Sequence, residues 1–408
     1  MEFYTHTLAN GIRIIHKRVK SEVAHFGWMI NVGSRDESEK EFGMAHFIEH
    51  CLFKGTQKRK MHHILSRMED VGGELNAYTT KEETYIYASF LKADYKRAID
   101  LIADIVQNSS FPEKEIEKEK EVIIDEINSY KDSPSEQIFD DFDEVIFGKS
   151  SIGVNILGDE KSVNSFTRED ILHFIEKNYA SDKMILSSVG NVSPEKIFTW
   201  AETYFGDIES RTSEKKKEEE LPKYDVQNIS KENAVHQCHC MIGTRAYGAT
   251  DKKARALILL NNILGGPGLN SRLNMGIREK YGYTYSIESN YHLYSDSGIF
   301  SIYFGTDQKY VEKVKKLIFK ECQKFIDQPL TERQLAKAKK QLLGQFYIAQ
   351  ENNCNLMLSM AKSLSVHGEV DSISDVKDKI NAISAQDIHE VAKEIFNRDQ
   401  FSILEFKN

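Results

Sequence analysis

The sequence contains no long apolar run. The longest one, Ala256–Leu260, is far too short to span a bilayer, which takes about 20 apolar residues in a helix. The first residues are not followed by the apolar segment that secretory signal peptides carry. We therefore expect a cytoplasmic protein with no membrane partner.

The sequence also contains few cysteines and fewer basic than acidic residues. The chain of 408 residues has only five cysteines, an odd number without the spacing of a disulfide framework, so we expect reduced thiols. Its net charge of -9 argues against a nucleic-acid partner, because nucleic-acid binding depends largely on basic side chains. The content of 40% hydrophobic and 29% charged residues is ordinary for a globular protein, and the length exceeds what one hydrophobic core usually serves.

The most informative stretch that is present is residues 46–50, which read His-Phe-Ile-Glu-His. On a helix that turns about 100° per residue, His46 and His50 lie about 40° apart, and Glu49 lies beside them on the same face. Apolar neighbours favour a helix here, and Gly55 suits a C-terminal stop. The pattern predicts two metal-binding imidazoles and one proton-accepting carboxylate on a single helical turn.

A catalytic zinc needs a third protein ligand. Such a zinc keeps three protein ligands and leaves a fourth position for water, so another His, Asp or Glu must come from a different element. The best supplier is the acidic run 113–126, which has a helical pattern. Most carboxylates of this run are expected to be solvated partners of lysines on the same helix, and the spacing within the run does not select one of them.

The two halves of the chain repeat one order of elements. Strands, a helix, two further strands, long helices and a final strand are predicted in residues 1–209, and the same order recurs in 226–408. Between them, 210–225 is rich in Glu and Lys and is typical of a solvated linker. We therefore predict an α+β fold with two structurally similar domains, each a mainly antiparallel sheet packed with helices. The predicted strands are a hairpin around Asn10-Gly11, 24–32, two within 74–91, and 184–189, followed in the second half by 236–242, two within 283–304, and 401–406.

The repeat can be placed in register. The tripeptide Gly33-Ser34-Arg35 lies 210 residues (243 minus 33) before Gly243-Thr244-Arg245. The same offset places apolar residues opposite the two imidazoles and the carboxylate of the motif, namely Ala256, Leu259 and Leu260. The second domain is therefore predicted to keep the scaffold without a metal centre.

These motifs together resemble one protein family. The chain resembles the M16 zinc peptidases, the group of pitrilysin and the mitochondrial processing peptidases, whose metal motif has the inverted order His-x-x-Glu-His. The resemblance covers essentially the whole chain, and the length of 408 residues matches the short bacterial type of subunit. Besides the motif, it rests on the segments 33–35, 53–56 (Phe-Lys-Gly-Thr), 72–79, 271–273 (Ser-Arg-Leu) and 278–285.

The resemblance implies a complete metal site. In the family, a Glu 76 residues beyond the second His is the third ligand, which makes Glu126 the third zinc ligand beside His46 and His50 (126 minus 50 is 76). Glu119, two helical turns earlier, would hold a ligand in orientation. One zinc ion per chain is expected, and Glu49 would take a proton from the attacking water and pass it to the leaving amine.

The resemblance also implies how a substrate is held. Arg278 and Tyr285 would hold the substrate backbone and the oxyanion, although their spacing alone also suits a surface helix end and a core strand residue. Asn76, Ala77 and Tyr78 would belong to an edge strand to which an extended peptide adds by main-chain hydrogen bonds. For Tyr78, a packed core aromatic is the alternative.

The function implied is that of a zinc metalloendopeptidase that hydrolyses peptides or unfolded polypeptides in an enclosed chamber, with a processing peptidase as a narrower form. A half-length subunit closes a chamber by pairing, so we expect a homodimer, or a heterodimer with a non-catalytic M16 homologue. Two alternatives stay open: a non-catalytic M16-like scaffold or binding subunit, and an unrelated zinc hydrolase that shares only the motif. No second metal site is expected at 236–240 (His-Gln-Cys-His-Cys), because strand alternation turns His239 away from the other three side chains.

Overall fold

Each half of the chain builds one β-sheet in the computed structural model, which describes residues 3–213, 221–232 and 236–407. The chain divides into two compact units. Unit 1 contains the described residues of 1–128, 155–220 and 348–372. Unit 2 contains those of 129–154, 221–347 and 373–408.

The first half of the chain begins with three strands and continues into the helix that carries the His-x-x-Glu-His motif. Its strands are β1 (Tyr4–Thr7), β2 (Arg13–Arg18), β3 (Val23–Ile30), β4 (Glu74–Thr79), β5 (Thr84–Leu91) and β6 (Met184–Gly190). Its helices are α1 (Met44–Leu52), α2 (Met61–Glu69), α3 (Tyr95–Asn108), α4 (Glu113–Lys131), α5 (Pro134–Phe147), α6 (Glu160–Ser165), α7 (Arg168–Asn178) and α8 (Pro194–Phe205).

The second half repeats the strand–helix–hairpin–helices–strand order. Its strands are β7 (Asn228–Glu232), β8 (Cys238–Tyr247), β9 (Thr284–Leu293), β10 (Ser297–Thr306) and β11 (Ser402–Lys407). Its helices are α9 (Ala254–Gly265), α10 (Val311–Asp327), α11 (Glu332–Ala349), α12 (Asn353–His367), α13 (Ile373–Ala382) and α14 (Ala385–Ile395), with a short irregular helix at Asn274–Glu279.

Several helices begin and end at residues whose chemistry explains the boundary. The side chain of Thr167 accepts a hydrogen bond from the third backbone amide of α7, and Ser384 does the same for α14. The helix α12 ends at Gly368, whose φ of 72° lies in the left-handed region that glycine adopts without strain. These ends are encoded locally in the sequence.

The two sheets have the same strand order and directions apart from β1, which has no counterpart among the described strands of unit 2. In unit 1 the order is β1-β2-β6-β3-β5-β4, and in unit 2 it is β7-β11-β8-β10-β9. Only β2 with β6, and β7 with β11, run parallel; the other pairs of described strands are antiparallel. The helices α1 and α9 occupy matching places and start 210 residues apart (254 minus 44). The predicted α+β fold with two similar, mainly antiparallel sheets is confirmed.

The two units exchange helices. The helix α5 belongs to the first half of the chain, yet its Ile138 and Phe142 pack in unit 2 against Met241 and Leu404. The helix α12 belongs to the second half, yet it packs on the sheet of unit 1. The sequence-based bounds 1–209 and 226–408 assign both helices to the opposite domain, because they follow chain order and not packing. Within the linker predicted at 210–225, residues 214–220 lie outside the described part of the chain.

Specific polar contacts hold α12 on unit 1. The Ser187 hydroxyl donates to the Met357 carbonyl at 2.7 Å, and Nη1 of Arg13 donates to the Leu364 carbonyl at 2.9 Å. Gly27 of β3 leaves room for the Met357 side chain, since a Cβ at this glycine would lie 3.3 Å from the Met357 methyl carbon. The sheet of unit 1 is therefore covered on both faces, by α1 and α3 on one side and by α12 on the other.

In unit 2, Arg245 adds polar contacts to the apolar packing of α5. Nε and Nη2 of Arg245 donate to the Ile146 carbonyl at 3.2 and 3.1 Å, near the C-terminus of α5. The same guanidinium lies 5.1 Å from the ring centroid of Phe147 and 5.6 Å from that of Tyr224. Cations at a helix C-terminus and over aromatic faces are both favourable, so one side chain stabilises the exchanged helix in two ways. Among the described residues, no helix is long and apolar enough to cross a bilayer.

Candidate metal centre

The helix α1 begins at a glycine that cannot cap it. Gly43, at the N-cap, has a φ of 95° and no side chain, so the first backbone amides need another acceptor. The carboxylate of Glu37 supplies it: Oε2 accepts from the Gly43 amide at 2.9 Å and Oε1 from the Ala45 amide at 2.8 Å. Burial raises the pKa of Glu37, and these two amides act in the opposite direction. Glu37 therefore fixes the start of the helix that carries the motif.

The motif residues of α1 meet a carboxylate of α4. Oε2 of Glu126 lies 3.9 Å from Nε2 of His46 and 3.7 Å from Nε2 of His50. The two imidazole rings have their centroids 4.6 Å apart. Among the described residues, these three form the one group of His, Cys, Asp or Glu side chains whose ligand atoms all lie within 4.8 Å of one another.

These separations suit a zinc ion. Two ligands that each lie about 2.05 Å from a tetrahedral zinc are about 3.4 Å apart, so the observed 3.7 and 3.9 Å need only small side-chain movements. Burial, followed by the neighbouring His50, lowers the pKa of His46 to about 3, so its imidazole is neutral at pH 7. A neutral imidazole is the form that binds a metal. The donor set therefore fits a zinc ion in chemistry and in spacing.

Glu119 lies behind His50 on the same face of α4 as Glu126. Its Oε2 lies 3.2 Å from Nδ1 of His50, and its Oε1 lies 2.7 Å from Nζ of Lys54. Burial raises the pKa of Glu119, but the hydrogen bonds with His50 and Lys54 outweigh burial and hold that pKa below its ordinary value. An ionised carboxylate at Nδ1 leaves Nε2 of His50 free to face Glu126.

Glu49 lies on α1 outside the three-residue group. Burial raises its pKa above the ordinary value, Thr79 and His50 oppose this shift, and the nearby charge of Glu126 adds to it. The charges of His50 and Glu126 therefore both act on the pKa of Glu49, although Glu49 is not part of the three-residue group. A carboxylate with a raised pKa suits proton transfer near neutral pH.

The predicted substrate-binding residues lie on β4, at one edge of the unit 1 sheet. Asn76, Ala77 and Tyr78 pair on one side with β5, and no described strand pairs with the other side. Asn76 is exposed. The ring of Tyr78 stacks on that of Tyr85, with centroids 4.6 Å apart, and meets Tyr87 edge-on. Tyr78 is therefore packed among aromatic rings, while the backbone of β4 keeps an unpaired edge.

Arg278 and Tyr285 lie in unit 2, near the start of its edge strand. Arg278 belongs to the short helix Asn274–Glu279 and is exposed. Tyr285 lies on β9, the edge strand of that sheet, and the residue is 75% exposed to solvent. Gly282, with a φ of 63°, makes the turn between them. Their part in a reaction stays a prediction.

The helix of unit 2 that matches α1 carries no metal ligands at the equivalent positions. Ala256, Leu259 and Leu260 of α9 are buried in the core of unit 2. The His-Gln-Cys-His-Cys stretch forms no metal group among the described residues: Cys238 and Cys240 are buried, and Nδ1 of His239 lies 2.8 Å from the Tyr303 hydroxyl. Unit 2 thus repeats the fold of unit 1 without its histidine pair.

Comparison with known proteins agrees with this division. The family model described as "Insulinase (Peptidase family M16)" matches residues 13–160, and the one described as "Peptidase M16 inactive domain" matches residues 165–342. An uncharacterized zinc protease of Bacillus subtilis (strain 168) is 30% identical over 397 residues, which are 97% of this chain and 96% of that protein. The chain belongs to the M16 peptidase family.

Other M16 relatives and solved structures extend the comparison. An uncharacterized zinc protease of Rickettsia felis is 35% identical over 369 residues, 90% of this chain and 88% of that protein. The crystal structure of a protease from Helicobacter pylori matches with a TM-score of 0.91 at 22% identity, over 100% of this chain and 99% of that one. A structure from Pseudomonas fluorescens titled as a peptidase M16 inactive domain matches with a TM-score of 0.91 at 19% identity, over 100% and 98% of the two chains. These two structures support the fold.

The sequence did not predict the roles of two residues that support the group of His46, His50 and Glu126. Glu37 caps α1, and Lys54 is the ion-pair partner of Glu119. A Gly at the start of a predicted helix, with an acid six residues before it, is the signal that points to Glu37. Lys54 follows His50 by four residues, the spacing at which two side chains share a helix face. In retrospect, this spacing indicates that Lys54 can lie near a partner of His50.

Proposed function

We propose that this chain is a zinc-dependent endopeptidase that cleaves peptides or unfolded polypeptides. The observation that carries the proposal is the convergence of His46, His50 and Glu126, with Glu49 beside them. The names of its relatives, which are called zinc proteases, support the choice of metal and of reaction class. In this proposal His46, His50 and Glu126 hold one zinc ion, and Glu119 orients His50.

The chemistry assigned to the protein side chains is proton transfer and orientation. Zinc, when bound by these three residues, supplies a Lewis acid that makes a water molecule nucleophilic near neutral pH. Glu49 takes the proton of the attacking water and gives it to the leaving amine, a role that its raised pKa favours. No covalent link between the protein and the substrate is needed, because water is the nucleophile.

Substrate would bind as an additional strand. The unpaired edge of β4 offers main-chain donors and acceptors next to α1, and an extended peptide adds to such an edge with little regard to its side chains. Asn76 would contact the peptide backbone, and the bound peptide would lie alongside Ala77. Arg278 and Tyr285, both exposed, would hold the peptide backbone and the oxyanion.

The chamber and the assembly belong to the same proposal. We expect a homodimer in which the first domain of one copy and the second domain of the other enclose the substrate, with a processing peptidase as a narrower form of the function. Gel filtration would give the assembly state. Incubation with peptides of graded length would test enclosure: a length above which cleavage stops supports a chamber, and efficient cleavage of folded proteins contradicts it.

The deciding experiment replaces Glu49 with Gln. We expect Glu49→Gln to retain one zinc per chain and to lose peptide hydrolysis by about 100-fold or more, because proton transfer by a positioned side chain contributes about 10²–10⁴-fold. Glu39→Gln, which changes an exposed carboxylate, is the matched control and should retain activity. Chelation should abolish the activity of the unmodified protein, and zinc should restore it. A zinc-loaded protein that cleaves no peptide would favour the scaffold alternative instead.

A further inference from the structure

Unit 2 contains a polar cavity that the proposed peptidase chemistry does not use. Its volume is about 190 Å³, and it lies between the end of α9, the segment after it and α11. None of the described residues that line it is Asp or Glu. Its polar lining residues are Asn262, Asn270, Ser271, Arg272, Gln334, Lys337 and Gln341.

Arg272, from the Ser-Arg-Leu motif, is one of two cations that line this cavity. Its guanidinium carbon lies 3.9 Å from the centroid of the Phe325 ring, a stacking that leaves the N–H groups at its rim available. Burial lowers the pKa of Arg272, and the charge of Glu321 opposes that shift. Glu321 itself forms an ion pair with Lys324, and in the described part of the chain no carboxylate lies within ion-pair distance of Arg272.

A second cation and unpaired amide donors face the same space. Lys337 of α11 lines the cavity and has no ion-pair partner among the residues that the structure describes. Asn262 is 7% exposed, and its amide nitrogen Nδ2 has no hydrogen-bond partner. Gln334, which is exposed, accepts hydrogen bonds from Thr331 through its side-chain oxygen and can turn its amide nitrogen toward a ligand. The cavity thus presents two cations and the buried amide donor of Asn262, which has no acceptor among the described residues.

We propose that this cavity binds a small oxyanion, either a carboxylate or a phosphate. Glu321 lies near enough for its charge to act on Arg272 but forms no direct ion pair with it. A partly buried guanidinium without a direct partner is costly, and an oxyanion in the cavity would supply that partner and acceptors for the donors of the lining. The cavity volume of about 190 Å³ is more than ten times the roughly 10–15 Å³ that one water molecule needs. The cavity therefore has room for a group the size of a carboxylate or a phosphate. The proposal gives the Ser-Arg-Leu motif a binding role, which is separate from the metal centre of unit 1.

Two sources of such an oxyanion can be separated. Free phosphate is one, and the C-terminal carboxylate of a peptide is the other. Calorimetric titrations at constant ionic strength would use inorganic phosphate, an acetylated tripeptide with a free C-terminus, and the same tripeptide with a C-terminal amide. We expect binding of phosphate or of the free-acid peptide and none of the amidated peptide. If neither anionic probe binds, or if the amide binds as well as the acid, the proposal is wrong.

Variants test whether the binding occurs in this cavity. Lys337→Gln and Arg272→Lys should each weaken binding about tenfold or more, because each loses a charge-assisted contact or its forked geometry. Lys337 is exposed, so its variant is not expected to disturb folding. Arg333→Gln, an exposed change on the same helix outside the cavity, is the control and should bind like the unmodified protein. Equal affinity in all three variants would overturn the assignment.

The proposed anion binding does not depend on the proposed peptidase activity. Glu49→Gln and chelated protein should bind the anionic probe as tightly as the unmodified zinc-loaded protein does, since no cavity residue belongs to the metal centre. Loss of anion binding on chelation would contradict a separate site. Failure of peptide hydrolysis with intact anion binding would count against the proposed enzyme alone.

Discussion

Nδ1 of His50 lies 3.2 Å from Oε2 of Glu119, and this contact orients the ring so that its other nitrogen, Nε2, faces Glu126 at 3.7 Å. Glu119 is in turn anchored by Lys54 at 2.7 Å. These two contacts therefore connect Lys54, two residues beyond the end of α1, with Glu119 on α4, and Glu119 with His50 on α1. Each link is a charge-assisted contact, which is stronger and more directional than a neutral one.

Removing the charge of Glu119 should weaken zinc binding. We expect Glu119→Gln to lower zinc affinity about 10–100-fold, because residues that orient a metal-binding histidine typically contribute that much. Competition with a chromogenic chelator would measure the affinity. Glu121→Gln, an exposed carboxylate on the same helix, is the control and should bind zinc as before. Unchanged affinity in Glu119→Gln would remove its orienting role.

Glu37 should be needed for the stability of α1. Glu37→Gln replaces a carboxylate that accepts from two backbone amides with a group that has one acceptor oxygen, so we expect a loss of about 1–3 kcal/mol in the free energy of unfolding. Urea unfolding of metal-free protein would measure it. The neighbouring Glu39→Gln is exposed and should change stability by no more than about 0.5 kcal/mol. Equal stability of the two variants would show that the cap contributes nothing.

The exchanged helix α12 should be needed for the stability of unit 1 although it is distant in sequence. Met357 is fully buried against the sheet, and Met357→Ala should cost about 2–5 kcal/mol of unfolding free energy because it leaves a cavity. Met275→Ala makes the same chemical change at a residue that is 53% exposed, and it should be nearly neutral. Denaturant unfolding would compare the two. A neutral Met357→Ala would mean that α12 is not docked as described.

His16 should make the protein less stable in mild acid. Burial lowers the pKa of His16, and its contact with the Val192 carbonyl at 3.1 Å offsets this shift only in part. An unfolded histidine titrates near pH 6.5, so below about that pH the unfolded chain binds more protons than the folded one, and stability falls by at most about 1.4 kcal/mol per pH unit.

The test for His16 is a comparison of slopes. We expect the free energy of unfolding of metal-free protein to fall less steeply between pH 7 and about pH 5 in His16→Gln than in the unmodified chain, since the glutamine does not titrate. The exposed His173→Gln should keep the original slope. If all three proteins give parallel curves, the buried histidine is not the cause of the acid sensitivity.

Local patterns predicted the fold and part of the site. The strands and the helix of the motif follow from apolar periodicity and turn residues, and the spacing of His46, Glu49 and His50 predicted their common face. Glu126 was singled out by family resemblance, because the acidic run of α4 offers many carboxylates of similar local character. Glu37 was missed because its acceptor role depends on how the loop before α1 folds back onto the first amides of that helix.

The sequence by itself determined most of the secondary structure, the duplicated order of strands and helices, and the helix face that carries two histidines, since all of these depend on residues close together in the chain. The short strand β7, Asn228–Glu232, was not predicted. Only the tertiary structure decided which carboxylates of α4 face that helix and which unit each of α5 and α12 joins. The physical reason is that these choices depend on contacts between segments far apart in the chain, and the packing of apolar surfaces sets such contacts with little trace in local sequence.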